Sequence, residues 1–114
     1  MKTRQEIVAL LRNYAEAVKK IYGPILSKMV LYGSYARGDY HEDSDVDVMI
    51  LLDVPPKEER KRLDDVAAIT SDFNMEHDVY IMPMLKSAKT FRKWESTDPF
   101  FRNVNREGVV LFGT

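Results

Sequence analysis

Apolar and polar positions recur along the chain in blocks that predict helices and strands in turn. A first helix is predicted over residues 3–22, where Thr3 and Glu6 form a capping box. Its apolar residues recur at helical spacing and predict one buried face. The residues of this face are Ile7, Leu10, Leu11, Tyr14, Val18 and Ile21. Gly23 and Pro24 end the helix, because neither residue continues a regular helical turn.

Two apolar runs follow this helix and predict two neighbouring strands. The first run, Leu26–Tyr32, ends abruptly at Gly33 and Ser34, which is typical of a buried strand that enters a tight turn. After a polar stretch, the second run predicts a strand over Asp45–Leu52, and two prolines end it soon afterwards. The polar stretch therefore connects two strands that both lie in the core.

The rest of the chain predicts two further strands among helices. In chain order, the elements are a helix over residues 56–72, a strand over His77–Met82 that Pro83 closes, a weakly helical stretch Leu85–Trp94, a helix from Asp98 and Pro99 to Glu107, and a strand Val109–Phe112. Together, the elements predict an α/β fold with a twisted mixed sheet of about four strands. We expect helices to pack mainly on one face of this sheet.

Composition limits the classes of protein that the chain can belong to. Its 114 residues predict a single domain over residues 1–114, with no room for a separate substrate domain. The formal net charge of −1 argues against a broadly basic, general nucleic-acid-binding surface. The sequence contains no cysteine, which excludes disulfides, thiolate metal sites and cysteine nucleophiles. No signal core or membrane-spanning run is present, so we expect a cytoplasmic protein.

Asp45 and Asp47 are the most informative polar residues. They lie two apart at the start of a strand, so their carboxylates point to the same face. Two like charges held this close repel, and a hard divalent cation with oxygen ligands would relieve the repulsion. Gly33 and Ser34, at the end of the neighbouring strand, offer backbone N–H groups and a hydroxyl to phosphate oxygens. This combination predicts phosphoryl or nucleotidyl transfer.

The same stretch also resembles three other kinds of structure. The glycine spacing resembles a Walker A loop, but Asp39 and Tyr40 stand where that loop requires Lys and Ser or Thr. The acidic run over residues 39–47 resembles an EF-hand loop, but the required glycine is missing and an apolar strand continues. A polar turn whose Ser44 and Asp45 only bond local backbone remains as the structural alternative.

Residues 33–38 (Gly-Ser-Tyr-Ala-Arg-Gly), followed by residues 44–47 (Ser-Asp-Val-Asp), resemble the signature of the DNA polymerase β-like nucleotidyltransferases. More narrowly, the chain resembles the small stand-alone members called minimal nucleotidyltransferases. The order of the elements after the signature also fits that family, including the closing helix, glycine and short apolar strand.

The resemblance implies a metal-binding triad of carboxylates. Asp45 and Asp47 would hold two Mg²⁺ ions, which is the two-metal arrangement for in-line displacement. Asp78, expected inside the third strand, is the position that matches the family's third acid. It would complete the second metal's coordination and accept the proton of the attacking hydroxyl. The alternative is an edge-strand aspartate that faces water.

The resemblance also implies how the nucleotide is bound. Gly33 and Ser34 would bind the terminal phosphates, and Arg37 would neutralise charge on the leaving pyrophosphate. Arg37 could instead be an ordinary surface arginine at the end of a helix. In the family, ATP is the usual donor and a nucleoside monophosphate is the group transferred.

The acceptor is expected on another molecule, since the chain lacks room for an acceptor-binding domain. Minimal nucleotidyltransferases are often encoded beside small helical HEPN toxins and act as their antitoxins, in some cases by adenylylating the toxin. The resemblance therefore implies a HEPN-type partner. Two alternatives remain open: an antitoxin that neutralises its partner by contact alone, and a modifier of small molecules such as antibiotics.

Overall fold

The computed structural model describes residues 2–113, so the predicted domain limits, residues 1 and 114, lie outside the described part. The helices are α1 Arg4–Tyr22, α2 Ser34–Arg37, α3 Glu59–Leu63, α4 Ala67–His77, α5 Ala88–Trp94 and α6 Pro99–Glu107. The strands are β1 Leu26–Tyr32, β2 Val46–Leu52, β3 Ile81–Ser87 and β4 Val109–Phe112. Within residues 2–113, no helix combines the length and the apolar character needed to cross a membrane.

The four strands form one mixed sheet, as the sequence predicted, in the order β3-β2-β1-β4. β1 runs antiparallel to both β2 and β4, whereas β2 and β3 run parallel. Tyr32, the last residue of β1, pairs with Asp47 near the start of β2. The turn that follows β1 therefore lies directly beside the carboxylates that open β2.

Helices cover both faces of the sheet, so the expectation that they pack mainly on one face is wrong. On one face, Val48 and Ile50 of β2 belong to a core with Leu11 of α1. On the other face, Met49 belongs to a second core with Phe101 of α6. The physical reason is that β2 is apolar on both sides, which a central strand needs when each face is buried.

The first helix agrees closely with its prediction. The capping box is present: Glu6 N donates to Thr3 Oγ1 at 3.1 Å, and Thr3 N donates to Glu6 Oε1 at 2.9 Å. One residue of the predicted buried face differs, because Ile21 is 40% exposed and Tyr22 is buried in its place. The last buried residue of the helix is therefore Tyr22, one position later than predicted and next to the C-cap Gly23.

The helix predicted over residues 56–72 is not continuous. A 3₁₀ turn, Pro56–Glu58, leads into α3, and a second 3₁₀ turn, Asp64–Val66, separates α3 from α4. α4 continues beyond the predicted end as far as His77, because the left-handed backbone that stops it occurs only at Asp78.

The third strand lies later in the chain than predicted. It was expected over His77–Met82, but it spans Ile81–Ser87 and contains Pro83. Val46 N donates to Tyr80 O at 2.8 Å, so even-numbered residues of this segment direct their backbone groups towards β2. Pro83 therefore lies on the outer edge, where its missing N–H removes no bond from the sheet. Because β3 continues to Ser87, the stretch predicted to be weakly helical from Leu85 forms a helix only from Ala88.

The outer edge of β3 is also covered by side chains. Ile81 N donates to Asn74 Oδ1 at 2.7 Å, and Ser87 N donates to Glu59 Oε2 at 2.8 Å. With Pro83 between these two positions, the edge offers few backbone groups to another strand. The sheet is thereby protected against edge-to-edge pairing.

Candidate active site

The end of β1, the turn that follows it and the start of β2 line a pocket of about 830 Å³, called the main pocket below. Its predicted members are Gly33, Ser34, Arg37, Asp45 and Asp47. The other residues that line it are Tyr32, Asp39, His41, Asp43, Ser44, Phe100, Asn103, Val104 and Glu107. The structure therefore brings together every predicted site residue except Asp78.

Gly33 is required by both its backbone and its surroundings. It joins β1 to α2 with φ 77 and ψ −155, a backbone conformation that residues other than glycine rarely adopt. A Cβ atom at this position would lie 2.3 Å from Asp47 Oδ2, which is far inside van der Waals contact. The turn can thus approach the carboxylate only because residue 33 has no side chain.

Asp47 is half-buried, whereas Asp45 is exposed. Burial raises the pKa of Asp47, and the negative charge of Asp45 raises it further, although Arg37 acts in the opposite direction. Asp47 also lies beside Tyr32, whose pKa is raised to about 12 by burial and by the Asp47 charge. Asp45 and Asp47 therefore form a site where the two negative charges are unfavourable unless a cation is close.

The donor set of this pair fits a divalent cation with oxygen ligands. Asp47 in β2 and Asp45 just before it both line the main pocket, and Asp47 is partly desolvated, so the two carboxylates match the hard ligands that Mg²⁺ prefers. Within residues 2–113, however, no group of three or more His, Asp or Glu side chains is placed to hold a metal. If a metal binds here, the described residues would supply only part of its coordination, and a bound ligand would supply the rest.

Arg37 stands at the edge of the main pocket between two acidic residues. Its Nε donates to Asp39 Oδ2 at 3.1 Å, and its Nη1 lies 3.6 Å from Glu107 Oε2. Its side chain is 44% exposed, so each ion pair is weak and can be exchanged for another anion. Arg37 is consequently held near the pocket and remains available to phosphate oxygens.

Aromatic residues and the start of α1 hold α2 in place. The rings of Tyr35 and Tyr40 stack with centroids 4.2 Å apart. Arg4 N donates to Tyr40 Oη at 3.0 Å, and Arg4 Nε donates to Tyr35 O at 3.2 Å. These contacts fix the two ends of the turn region against α1, which limits how far Ser34 and Arg37 can move.

The loop before β2 is closed by Ser44. His41 N donates to Ser44 Oγ at 2.8 Å, and Ser44 N donates to His41 O at 3.0 Å. The sequence alternative of a locally bonded polar turn thus describes Ser44. It does not describe Asp45 and Asp47, which line the main pocket. His41 also lines the pocket, as its place in the loop allows.

Asp78 does not occupy the place that the sequence indicated. It caps the C-terminus of α4 with φ 51 and ψ 51, three residues before β3, so its placement inside the third strand is wrong. Asp78 lines a smaller pocket of about 280 Å³ together with Asp45, and not the main pocket. The residue of β3 that pairs with Asp47 is Met82. The role of Asp78 as a third carboxylate stays a prediction, and this placement counts against it.

One face of α6 also lines the main pocket, which the sequence pattern did not predict. Phe100, Asn103, Val104 and Glu107 recur at helical spacing and all line the pocket. The sequence did predict the helix itself, whose start is capped as expected by Asp98, since Asp98 Oδ1 accepts from Phe100 N at 2.9 Å. A usable signal was the mixture of aromatic, amide and acidic residues on one helical face.

A family model described as a nucleotidyltransferase domain matches residues 11–99 of the chain. The chain therefore belongs to the nucleotidyltransferase domain family, which confirms the expectation of a nucleotidyltransferase. Two relatives in Methanocaldococcus jannaschii carry the name "Putative protein adenylyltransferase". MJ0604 is 34% identical over 105 residues, which cover 90% of this chain and 94% of the relative. MJ0141 is 35% identical over 88 residues, which cover 75% of this chain and 86% of the relative.

Solved structures share the fold at low sequence identity. One, described as a "toxin-antitoxin with AMP-PNP", has a TM-score of 0.55 and 20% identity, covering 90% of this chain and 73% of that chain. Another, "a putative nucleotidyltransferase from Sulfolobus solfataricus", has a TM-score of 0.54 and 22% identity, covering 94% of this chain and 80% of that chain. These likenesses confirm the expected polymerase β-like nucleotidyltransferase fold.

Proposed function

We propose that this protein is a Mg²⁺-dependent nucleotidyltransferase that transfers AMP from ATP to a hydroxyl group on a partner protein. The observation that carries the proposal is the meeting of two predicted groups in the main pocket: the phosphate-binding turn at Gly33 and Ser34, and the carboxylates Asp45 and Asp47. A pocket of about 830 Å³ falls within the range of sites that bind molecules of nucleotide size. The names of the Methanocaldococcus relatives support the same reaction.

Asp45 and Asp47 would hold the Mg²⁺, with phosphate oxygens of the nucleotide as further ligands. When bound, the metal supplies positive charge that polarises the phosphoryl group and favours attack by a hydroxyl. The proposal includes two Mg²⁺ ions. The raised pKa of Asp47 supports it, because a cation beside the pair would offset the burial and the Asp45 charge that raise this pKa.

The other pocket residues would position the triphosphate. Gly33 and Ser34 lie at the start of α2, where backbone N–H groups and the Ser34 hydroxyl can donate to phosphate oxygens. Arg37 would leave Asp39 and Glu107 to pair with the departing pyrophosphate, which is a stronger and multiply charged partner. The turn is anchored to α1 through Tyr35 and Tyr40, so these donors are oriented before the nucleotide binds.

An exposed apolar strip supports a protein as the acceptor. Tyr80, Met82 and Met84 alternate along β3 or just before it and are exposed by 63%, 44% and 36%. Met82 pairs with Asp47, so the strip borders the carboxylates directly. Contiguous exposed apolar side chains are typical of protein–protein contacts and are of little use for a small polar acceptor.

For this partner we propose a small helical HEPN toxin, which would make the protein an antitoxin in the cytoplasm. The support is the sequence resemblance, together with fold neighbours described as toxin-antitoxin pairs. Neutralisation by contact alone is the competing function. The intact set of Gly33, Ser34, Arg37, Asp45 and Asp47 favours catalysis, since binding alone requires none of these residues to meet in a pocket.

Label transfer from ATP separates catalysis from binding alone. The protein is incubated with its partner, Mg²⁺ and ATP labelled at either the α- or the γ-phosphate. We expect the α-label on a Tyr, Ser or Thr hydroxyl of the partner and no transfer of the γ-label, because pyrophosphate leaves. Asp45→Asn and Asp47→Asn should each remove the signal, whereas Asp72→Asn, an exposed acid on α4, should not. Neutralisation without label, and equally by Asp45→Asn, would mean that the protein acts by binding.

A further inference from the structure

Two groups of residues with different chemistry line the main pocket. The first, called the phosphate end below, consists of Gly33 and Ser34 with the carboxylates, which suit phosphates and metal ions. The second is the face of α6 that carries Phe100 and Asn103. The ion pair between Arg37 and Glu107 holds this face next to the phosphate end. A molecule bound through its phosphates at the turn would therefore extend towards α6.

Phe100 is an exposed aromatic ring in a position where core packing does not require it. It is 40% exposed, whereas its neighbour Phe101 is 8% exposed and belongs to the core. Tyr32 supports the Phe100 ring from the side, with centroids 5.5 Å apart and planes at 82°. The ring of Phe101 lies 5.8 Å from Phe100 at 50°, so within residues 2–113 the Phe100 ring is held by tilted and edge-to-face contacts and no ring is stacked parallel to it.

Asn103 lies one helical turn after Phe100 on the same face. Its Oδ1 accepts from Arg106 Nη2 at 2.8 Å, which orients the amide group. An amide offers both donors and an acceptor, the same types of group that the edges of nucleic-acid bases carry. Val104, next to it, is buried and closes the pocket below these two side chains.

We infer that this face of α6 binds the base of the donor nucleotide, with the base stacked on Phe100 and its edge bonded to Asn103. The inference rests on the proposed function and adds to it the residues that recognise the nucleoside. Aromatic side chains stack on every base, since each base has a flat π-face. The phosphate end cannot serve this purpose, because its exposed groups are charged or polar.

Calorimetry with two ligands tests the inference without requiring catalysis. Mg²⁺-ATP carries a base, and Mg²⁺-tripolyphosphate carries the phosphates alone. Phe100→Ala and Phe100→Leu should each weaken ATP binding by at least about fivefold, the lower limit for the loss of one base-stacking contact. Both variants should bind tripolyphosphate as the unchanged protein does. Phe100→Tyr keeps a flat ring and should restore ATP binding. Trp94→Ala, which removes an exposed aromatic outside the pocket, is the matched control.

Asn103→Ala provides a second measurement on the same face. We expect it to bring the affinities for ATP, GTP, CTP and UTP closer together, because the remaining stacking contact does not distinguish bases. Unchanged ratios among the four nucleotides would overturn the role of Asn103.

The outcomes separate this inference from the proposed function. If the unchanged protein binds neither ligand, the proposed function fails and the inference fails with it. If it binds both ligands equally, or if Phe100→Leu keeps full ATP affinity, the function stands and the base does not bind at α6. Equal loss of both ligands in Phe100→Leu would also overturn the inference, since it would show a general effect on the pocket.

Discussion

A Cβ atom at Gly33 would lie 2.3 Å from Asp47 Oδ2, so the turn after β1 and the carboxylate on β2 are in direct contact. This contact joins the two halves of the proposed site, which otherwise belong to different elements. A triphosphate bound at the turn is thereby brought beside the carboxylates that would hold its metal. Any side chain at residue 33 would displace Asp47, so this close approach depends on glycine.

Gly33→Ala should therefore lower the affinity of the site for Mg²⁺-ATP more than Gly38→Ala does. The new methyl group would displace Asp47, and the left-handed backbone would add about 1–3 kcal/mol of strain. We expect Mg²⁺-ATP affinity to fall at least tenfold by an order-of-magnitude estimate from such displacements. Calorimetry measures the affinity, and thermal unfolding measures the strain.

Gly38→Ala is the control for that substitution. Gly38 also has a positive φ, of 90, but a Cβ there meets nothing within 4 Å. The variant should lose some stability and keep its affinity for Mg²⁺-ATP. Equal loss of affinity in both variants would mean that backbone strain alone, and not the contact with Asp47, explains the effect.

Asp47→Asn should leave the metal-free protein as stable as before, or more stable, while lowering transfer by at least about 100-fold through the lost metal ligand. Burial and Asp45 raise the pKa of Asp47 above its ordinary value of 3.8. The folded protein thus binds the Asp47 proton more tightly than the unfolded chain does. Ionisation therefore removes stability as pH rises from the ordinary value through the raised one.

Thermal unfolding in EDTA across this pH range measures the effect. The unchanged protein and Asp47→Asn should have similar stability in acid. As the pH approaches neutrality, the variant should become more stable than the unchanged protein. Asp72→Asn should show no such trend from this source, because residue 72 is exposed on α4. A strongly destabilised Asp47→Asn would identify Asp47 as a structural hydrogen-bonding residue.

Glu107→Gln should strengthen the binding of tripolyphosphate and ATP. Glu107 Oε2 lies 3.6 Å from Arg37 Nη1 and places a negative charge in the pocket that receives phosphates. Because the ion pair is partly exposed, its loss is worth up to about 1 kcal/mol, or about fivefold in affinity. Glu95→Gln, at an acid that binds Asn105 outside the main pocket, should change nothing. Weaker binding by Glu107→Gln would mean that Glu107 positions Arg37 rather than competing for it.

The sequence was most informative where short-range rules decide the structure. The apolar runs located β1 and β2, and the abrupt change at Gly33 located the turn between β1 and α2. The two-residue spacing of Asp45 and Asp47 placed both on one face of a strand, since strand geometry alternates side chains strictly. These local patterns supplied four of the predicted residues that meet in the main pocket, and the family resemblance supplied Arg37.

The parts that were missed depend on contacts distant in sequence. Nothing in the pattern of α6 shows that Phe100 and Glu107 line the same pocket as Gly33, because only the path of the chain around β1 brings them there. The limits of β3 were misplaced for a related reason. Pro83 is acceptable in a strand only at an outer edge, and the order of strands in the sheet decides which edge is outer.

The displacement of β3 leads to the last prediction, which concerns the third carboxylate. In the parallel pairing of β2 and β3, Met82 and not Asp78 lies beside Asp47. Asp78→Asn should therefore reduce label transfer far less than Asp47→Asn. Asparagine also tolerates the left-handed backbone at this position, so the fold should be unaffected. A loss as large as that of Asp47→Asn would show that Asp78 reaches the metal when the nucleotide is bound.

A carboxylate added at residue 82, which pairs with Asp47, tests the same point in the opposite direction. Met82→Asp would place a third carboxylate next to Asp47, which should tighten Mg²⁺ binding in the presence of ATP and lower the stability of the metal-free protein. Met84→Asp is the matched control, because Met84 is on the same strand and exposed by 36%, against 44% for Met82, but pairs with Met49. If both substitutions change Mg²⁺ affinity alike, the effect is one of general surface charge. If only Met82→Asp does, the third ligand position of this site lies on β3 beside Asp47, where the natural chain has a methionine.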